Sequence, residues 1–401
     1  MKKITSNLWW GPPENFADRK NERKISWLEL FYDLVYAAAI DQLTQHLAAN
    51  PTWSALAYSF LLFSLIFWSW VNGSQYYDLH GSEGIRTRVF TFLQMLSVAA
   101  VAISLPAVFE GRHQGFAVCF AAIQILITYL WWSVGFFDPS HRVFSKFYTT
   151  NYLIAFLLLI VSLFVQGQLV TIIWCIVLLL NLTPPLTAAK TVARELKKIG
   201  QVFTASATIV ERFGLFTIIV LAECILSTVT GISGISEKDA ATWIALLLAI
   251  MISFLIWSLY FDMTSEQETK LGYGYMEWMI FLHFPLLASL VVVGACMKVL
   301  LNDLEQKVPT SVLWMFCVAL STLLFMIVGI SRIMKEDEED RSYIKPVSRL
   351  LVVTGLIILF IPFLGGYLNT VWFLGLISVV LLIPVFVGVR SWVRYKFFSE
   401  R

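Results

Sequence analysis

The chain has 401 residues, 58% of them hydrophobic and 14% charged, with 29 Lys and Arg against 27 Asp and Glu. With a mean hydropathy of +0.74, this balance excludes a soluble globular domain, and a net charge of +2 gives no basis for nucleic-acid binding. The chain reads as an integral membrane protein whose first partner is the lipid bilayer.

A membrane-crossing helix needs about 20 mainly apolar residues. Such segments begin near Ser26, Thr52, Val89, Gln114, Tyr148, Leu169, Glu211, Asp239, Tyr275, Pro309, Pro346 and Thr370. Lipid offers the backbone no hydrogen-bond partner, so these are helices or barrel strands, and their length rules out strands. The expected fold class is all-α, with about 12 transmembrane helices. If the N-terminus is cytoplasmic, only Arg112, Lys238, Lys298 and Lys307 fall on the opposite side. The other basic residues, from Lys2, Lys3, Arg19, Lys20, Arg23 and Lys24 to Arg390, Arg394, Lys396 and Arg401, flank the cytoplasmic ends. That asymmetry follows the positive-inside rule and predicts that both termini are cytoplasmic.

Residues 1–25 read as a polar cytoplasmic segment, with Trp9, Trp10, Gly11, Pro12 and Pro13 ahead of any apolar run. No cleavable signal peptide is expected, and the first span would serve as insertion signal. That span, Ser26 to Leu47, carries Glu29, Asp33 and Asp41. One ionisable side chain near the bilayer centre costs about 2.5–3.5 kcal/mol on insertion scales, so three in one span require compensation. At 100° per residue they fall at about 0°, 40° and 120°, on one third of the helix circumference. Glu29 and Asp41 are separated by roughly 18 Å along the axis, a ladder and not a cluster.

The second span holds Trp68-Ser69 and ends in Tyr76-Tyr77-Asp78, and the third holds Phe92-Leu93-Gln94. Pro106, Pro184-Pro185, Pro362 and Pro384 fall within spans, where broken helices can expose carbonyls to an ion, though proline is also common in membrane helices. Residues 26–188 form a first group of six spans. The connection at 189–210, with Lys190, Arg194, Glu195, Lys197 and Lys198, reads either as an amphipathic surface helix or as a solvated linker. Residues 211–390 form a second group, and 391–401 a cytoplasmic tail. Lys335 to Asp340, KEDEED, reads as a solvated loop.

The two groups look repeated. Aligning Glu29 with Glu211 also aligns Phe31 with Phe213 and Asp41 with Glu223. Trp68-Ser69 matches Trp257-Ser258, and Phe92-Leu93-Gln94 matches Phe281-Leu282-His283, both at one common offset. An even number of spans per group implies two parallel six-helix repeats. Arg212 stands beside Glu211. For Glu29 and Glu211 two readings remain open: they border a pathway, or they cap a first turn or pair with Arg212 or another basic residue. Asp33, Asp41 and Glu223 lie deeper, where a functional or interhelical role is expected. His283, followed by Pro285, reads as a packing residue or a proton relay. Asp78 and Asp262, at span ends, are expected to be solvated. Trp53, Trp278 and Trp372 read as interfacial anchors.

The five cysteines, Cys119, Cys175, Cys224, Cys296 and Cys317, are dispersed within spans and offer neither a disulfide framework nor a metal site. No Walker loop, dinucleotide fingerprint, H-E-x-x-H or G-x-S-x-G occurs, so neither an enzyme nor a cofactor is expected.

WLELFYDLVYAAAI at Trp27 to Ile40, ERFGLFTIIVLAECIL at Glu211 to Leu226 and LHFPLLASLVVVG at Leu282 to Gly294 resemble the bacterial low temperature requirement A (LtrA) family. The resemblance implies a multi-pass protein of the bacterial inner membrane, linked by its family name to growth in the cold, with no established substrate. It carries over to Glu29, Phe31, Asp33, Glu211, Arg212, Phe213 and Glu223. Asp41, where the family is mostly neutral, and Ala222, where it has Gly, depart from it. FYDLVYAAAI is also faintly similar to the F-S-D signature of the lysosomal potassium channel family, although the second half reads Phe213-Gly214-Leu215 in place of F-x-D.

The resulting expectation is a channel or secondary transporter for a small cation, proton or small solute. Its pathway candidates are Glu29, Asp33, Asp41, Gln94, Glu211, Arg212, Glu223 and His283, with the first and seventh helices lining the path. The alternative is a non-transporting membrane component that adapts the envelope to cold through lipid or protein contacts. A lipid-directed intramembrane enzyme centred on His283 is a more distant third.

Overall fold

A computed structural model describes residues 12–14, 25–81, 84–138, 142–198, 206–235, 237–264, 269–302, 304, 307–335, 338–364 and 368–399. Lys2, Lys3, Trp9, Trp10, Gly11, Arg19, Lys20, Arg23, Lys24, Glu336, Asp337, Arg401 and the middle of the connection at 199–205 lie outside the described residues.

Among the described residues the regular structure is helical, in twelve α-helices. They are α1 (Trp27–Ala49), α2 (Trp53–His80), α3 (Ile85–Phe109), α4 (Gln114–Phe137), α5 (Arg142–Ser162) and α6 (Gln168–Lys198). They continue with α7 (Ala207–Ser233), α8 (Ala240–Thr264), α9 (Tyr273–Asn302), α10 (Thr310–Ile333), α11 (Glu338–Phe360) and α12 (Thr370–Ser399). Ten of the helices are long and apolar enough to cross a membrane. The two that fall short are α1, diluted by its carboxylates, and α6, whose apolar part is confined to Gln168–Pro184. Large apolar side chains such as Phe92, Ile103, Leu247, Phe254 and Phe386 are exposed along these helices. An apolar exterior of this extent suits lipid and not water.

Several helices begin before their apolar windows, α3 at Ile85, α5 at Arg142, α7 at Ala207 and α11 at Glu338. Hydropathy marks the lipid-embedded length, while the hydrogen-bond ladder continues through polar first turns. Pro106, Pro285, Pro346 and Pro384 are accommodated inside α3, α9, α11 and α12, and Pro362 lies in a 3-10 turn, Ile361–Leu364, after α11. Gly111, at φ 85°, ends α3 in a conformation that costs glycine least. Outside the helices, Asp239 caps α8, its Oδ1 accepting from Thr242 N at 2.9 Å and Thr242 Oγ1 at 2.7 Å. The Thr242 side-chain bond, with help from backbone N–H groups, holds the Asp239 carboxyl below its usual range.

The helices gather into two compact units. One comprises Met1–Leu43, Leu61–Arg212 and Leu271–Glu277, the other Thr44–Phe60, Phe213–Lys270 and Trp278–Arg401. Within the first, α3 packs on α4, α4 on α5 and α5 on α6. The α2 helix is tied to α6 by Trp68, whose Nε1 donates to the Asn181 carbonyl at 2.7 Å. That carbonyl needs an outside donor because Pro184 and Pro185, at the third and fourth positions after it, have no N–H to offer. Around Asn181 the amides close on one another: Asn72 Nδ2 and Gln124 Nε2 both donate to Asn181 Oδ1, and Tyr152 Oη donates to Asn72 Oδ1. In the second unit α8 packs on α10 and α12, and α11 on α10 and α12. An isolated antiparallel bridge between Thr269 and Met334 ties the approach to α9 to the end of α10.

Candidate functional site: a buried charge cluster on α1 and α7

The α1 helix starts with a reciprocal cap. Ser26 N and Oγ each donate to Glu29 Oε2 at 2.9 Å, and Glu29 N donates back to Ser26 Oγ at 3.3 Å. This is the capping-box arrangement, and it fixes Glu29 at the entrance of the helix. Ser26→Ala should cost about 1 kcal/mol, read as a lower thermal midpoint in detergent. An unchanged midpoint would show that the cap contributes nothing to the fold.

The first turn of α7 is anchored independently. Ser206 Oγ accepts from Ile209 N at 3.0 Å and donates to Asp78 Oδ1 at the end of α2. Asp78 is therefore buried and bonded, not solvated as its position at a span end suggested, whereas Asp262 is exposed and accepts from Ser258 Oγ. The difference lies in Ser206, which brings the start of α7 onto Asp78.

With both helix starts fixed, Arg212 enters the interior. Its Nε lies 3.2 Å from Asp33 Oδ2, and its Nη2 lies 2.8 Å from Asp33 Oδ1. This is the two-pronged fork that a guanidinium makes with a carboxylate. Trp70 Nε1 donates to the same Oδ1 at 2.7 Å. Glu29 Oε1 stands 3.5 Å from Arg212 Nη1. The guanidinium lies 5.4 Å over the Tyr32 ring and 5.8 Å over Trp70, so aromatic faces as well as carboxylates compensate its charge. Asp33 and Trp70 are 0% exposed, Arg212 1% and Glu29 4%. Two carboxylates and one guanidinium are thus buried together.

Hydroxyls extend from this cluster. Tyr32 and Tyr36, one turn apart on α1, have their phenol oxygens 2.9 Å from each other, and Tyr36 Oη is 3.2 Å from Ser69 Oγ. Tyr77 Oη donates to Gln94 Oε1 at 3.4 Å. Gly73 admits Tyr32 to the α2 backbone, since a Cβ there would sit 2.3 Å from Tyr32 Oη.

The remaining candidates are placed elsewhere. Asp41 is half-buried and accepts from Gln42 Nε2 at 3.1 Å. Glu211 is exposed and does not cap α7, because the helix starts four residues earlier at Ala207 behind Ser206. The sequence-aligned Glu29 and Glu211 therefore differ in environment, and the neighbouring Arg212 occupies the interior. Glu223, in the second unit, is buried and accepts from Ser227 Oγ at 3.2 Å. His283, also there, has its Nδ1 2.7 Å from the Met279 carbonyl and its Nε2 2.9 Å from Tyr260 Oη, with Phe213 against the ring. A carbonyl only accepts, so Nδ1 carries a hydrogen, and in the neutral ring Nε2 accepts from Tyr260. Tyr260 also lines a shallow apolar groove with Thr217, Leu221, Trp257, Phe261 and Leu290.

Sequence reasoning missed Trp70, Tyr32 and Tyr36, although both tyrosines flank Asp33 at i−1 and i+3. It also passed over Glu277 in the second turn of α9, whose Oε1 is buried without a hydrogen-bond partner among the described residues.

Long apolar helices around a buried ion cluster define a multi-pass α-helical membrane protein. The sequence profile of the bacterial low temperature requirement A protein (LtrA) matches residues 24–386, and the chain belongs to that family. It is also similar to an uncharacterized protein of Rhizobium meliloti (strain 1021), 26% identical over 255 residues. That match covers 61% of this chain and 60% of the relative.

Proposed function

We propose that this protein is a channel or secondary transporter that moves a small ion or solute through the bacterial inner membrane, using the Glu29–Asp33–Arg212 cluster. The observation that carries the reading is the burial of an ion cluster within a bundle of apolar helices: Asp33 and Arg212 pair away from solvent, with Glu29 beside the guanidinium. Ionisable groups are costly in a membrane interior and mark pathways for ions and protons. Glu223, on α7, is another buried carboxylate, besides Glu29 and Asp33.

In this reading α1 and α6 also span the membrane, giving twelve spans, with both termini cytoplasmic. Arg212 and Trp70 offset the carboxylates that lower the hydropathy of α1. Two six-helix repeats are supported by the pairing of Gln94 with Tyr77 and of His283 with Tyr260, a third helix bonding to a tyrosine of the second in each half. The tyrosines do not follow the repeat offset, so the likeness is one of arrangement.

Purified protein in liposomes should give a protein-dependent ion or proton flux that Glu223→Gln reduces. No flux, with no change on substitution, would remove the reading. The alternative, a non-transporting component, is favoured by one observation, the closure of the neutral amides around Asn181. It predicts that absence of flux.

A further inference from the structure

We propose that Arg86, at the start of α3, forms a binding site for the phosphate group of an anionic glycerophospholipid. The site lies within the first compact unit and does not depend on what the protein moves.

Arg86 is a buried cation in neutral company. It is 5% exposed, and its Nη2 donates to Ser133 Oγ on α4 at 2.5 Å. Ser133 gives its own hydrogen to the Leu130 carbonyl at 2.6 Å, so it meets the guanidinium with oxygen lone pairs only. The guanidinium lies 5.7 Å from the centre of the Phe90 ring, and the Tyr76 hydroxyl of α2 stands beside both Arg86 and Ser133. A hydroxyl, a phenol and a ring face orient a guanidinium but carry no formal charge. Among the described residues no carboxylate lies within ion-pair distance of it. Arg212 is the contrast, equally interior but forked on Asp33. A buried charge without a counter-ion is costly, so an anion from outside the chain completes Arg86.

The helix it stands on sharpens the sign. Arg86 is the second residue of α3, where unpaired N–H groups present the positive end of the helix dipole and a cation is out of place. The N-cap is Gly84, which has no side chain to accept from those groups, and the first turn holds no acidic residue. Arg88, two positions on, is exposed. Backbone donors, dipole and guanidinium all favour an anion. Glu83, three positions before Arg86, lies outside the described residues.

A guanidinium carries five N–H donors in a planar fork that matches two oxygens of a phosphate, and Ser133 takes one of them. The adjoining surface ties that phosphate to a lipid. Ile85, Val89, Phe92 and Leu96 are exposed and fall on one face of α3 over about three turns. The strip begins in the same turn as Arg86. Acyl chains laid along it bring the headgroup phosphate to Arg86, in the polar turn ahead of the apolar window. Phosphatidylglycerol fits this setting, whereas the ammonium of a zwitterionic headgroup would face Arg88 and the positive end of α3.

The test is native mass spectrometry of the full-length protein released from lipid-free detergent. It is titrated with phosphatidylglycerol, with phosphatidylcholine of the same acyl chains, and with inorganic phosphate. Wild type should take one phosphatidylglycerol in preference to the other two. Arg86→Gln keeps a donor for Ser133 and removes the charge, and it should weaken that binding by about tenfold or more. Arg88→Gln changes only an exposed charge and should leave binding within about twofold. Without lipid, Arg86→Gln should keep or raise the thermal midpoint, because it removes a charge that the chain does not balance. A midpoint lowered by Arg86→Gln would show that the chain itself compensates the charge and would overturn the site, and an equal loss on Glu83→Gln would name the partner. Equal binding of the two lipids by wild type, or equal weakening by Arg86→Gln and Arg88→Gln, would also overturn it, as attraction to surface charge alone. Inorganic phosphate that binds as tightly as phosphatidylglycerol would overturn the lipid assignment.

Discussion

Arg212→Ala should destabilise the folded protein by about 3–5 kcal/mol, because it takes from the buried Asp33 its guanidinium partner. Asp33 would keep only the Trp70 indole as a donor, and Glu29 would keep its Ser26 cap. The measurement is recovery of monodisperse protein in detergent together with its thermal midpoint. Asp33→Asn combined with Arg212→Gln removes both charges and retains hydrogen-bonding groups of similar shape. The double variant should recover most of what the single variant loses, since a buried pair is costly chiefly when one partner is removed alone. If Arg212→Ala leaves the midpoint unchanged, the ion cluster is not part of the folded core.

The second large effect is expected at Asn181. Asn181→Ala deletes the oxygen that receives Asn72 Nδ2 and Gln124 Nε2 and the amide that bonds to Val177 O. The result is an unpaired buried donor on Asn72 and a small cavity, together worth about 2–4 kcal/mol. Trp68→Phe is the graded control. It removes only the indole bond to the Asn181 carbonyl and should cost about 1 kcal/mol. Equal losses from the two substitutions would mean that the amide cluster adds nothing beyond the link between α2 and α6.

Apolar length, with turn and charge signals between the runs, located every described helix, because a lipid-embedded helix must be apolar over a fixed length. The ends were less legible, because Ser206 and the polar first turn of α3 stabilise helix outside the apolar window. The carboxylates of α1 stood out for the same reason in reverse, as charges where lipid allows none. What the pattern did not carry was the partner of each. Arg212 and Asp33 are 179 residues apart in sequence, and no local spacing encodes that meeting, although an ion pair with Arg212 was among the options for Glu29. Trp70 was hidden by its type. Tryptophans in such chains read as interfacial anchors, and Trp53, Trp278 and Trp372 are indeed exposed, but Trp70 turns its indole N–H inward to a carboxylate. The repeat alignment misdirected attention to Glu211, when the adjacent position supplies the buried charge.

The most direct measurement is ion flux through the Asp33→Asn, Arg212→Gln double variant in liposomes, normalised to folded protein and compared with wild type. The charge-bearing role assigned to this cluster predicts a variant that folds and carries no flux. A variant that folds and conducts as wild type does would show that Asp33 and Arg212 only hold α1 and α7 in place.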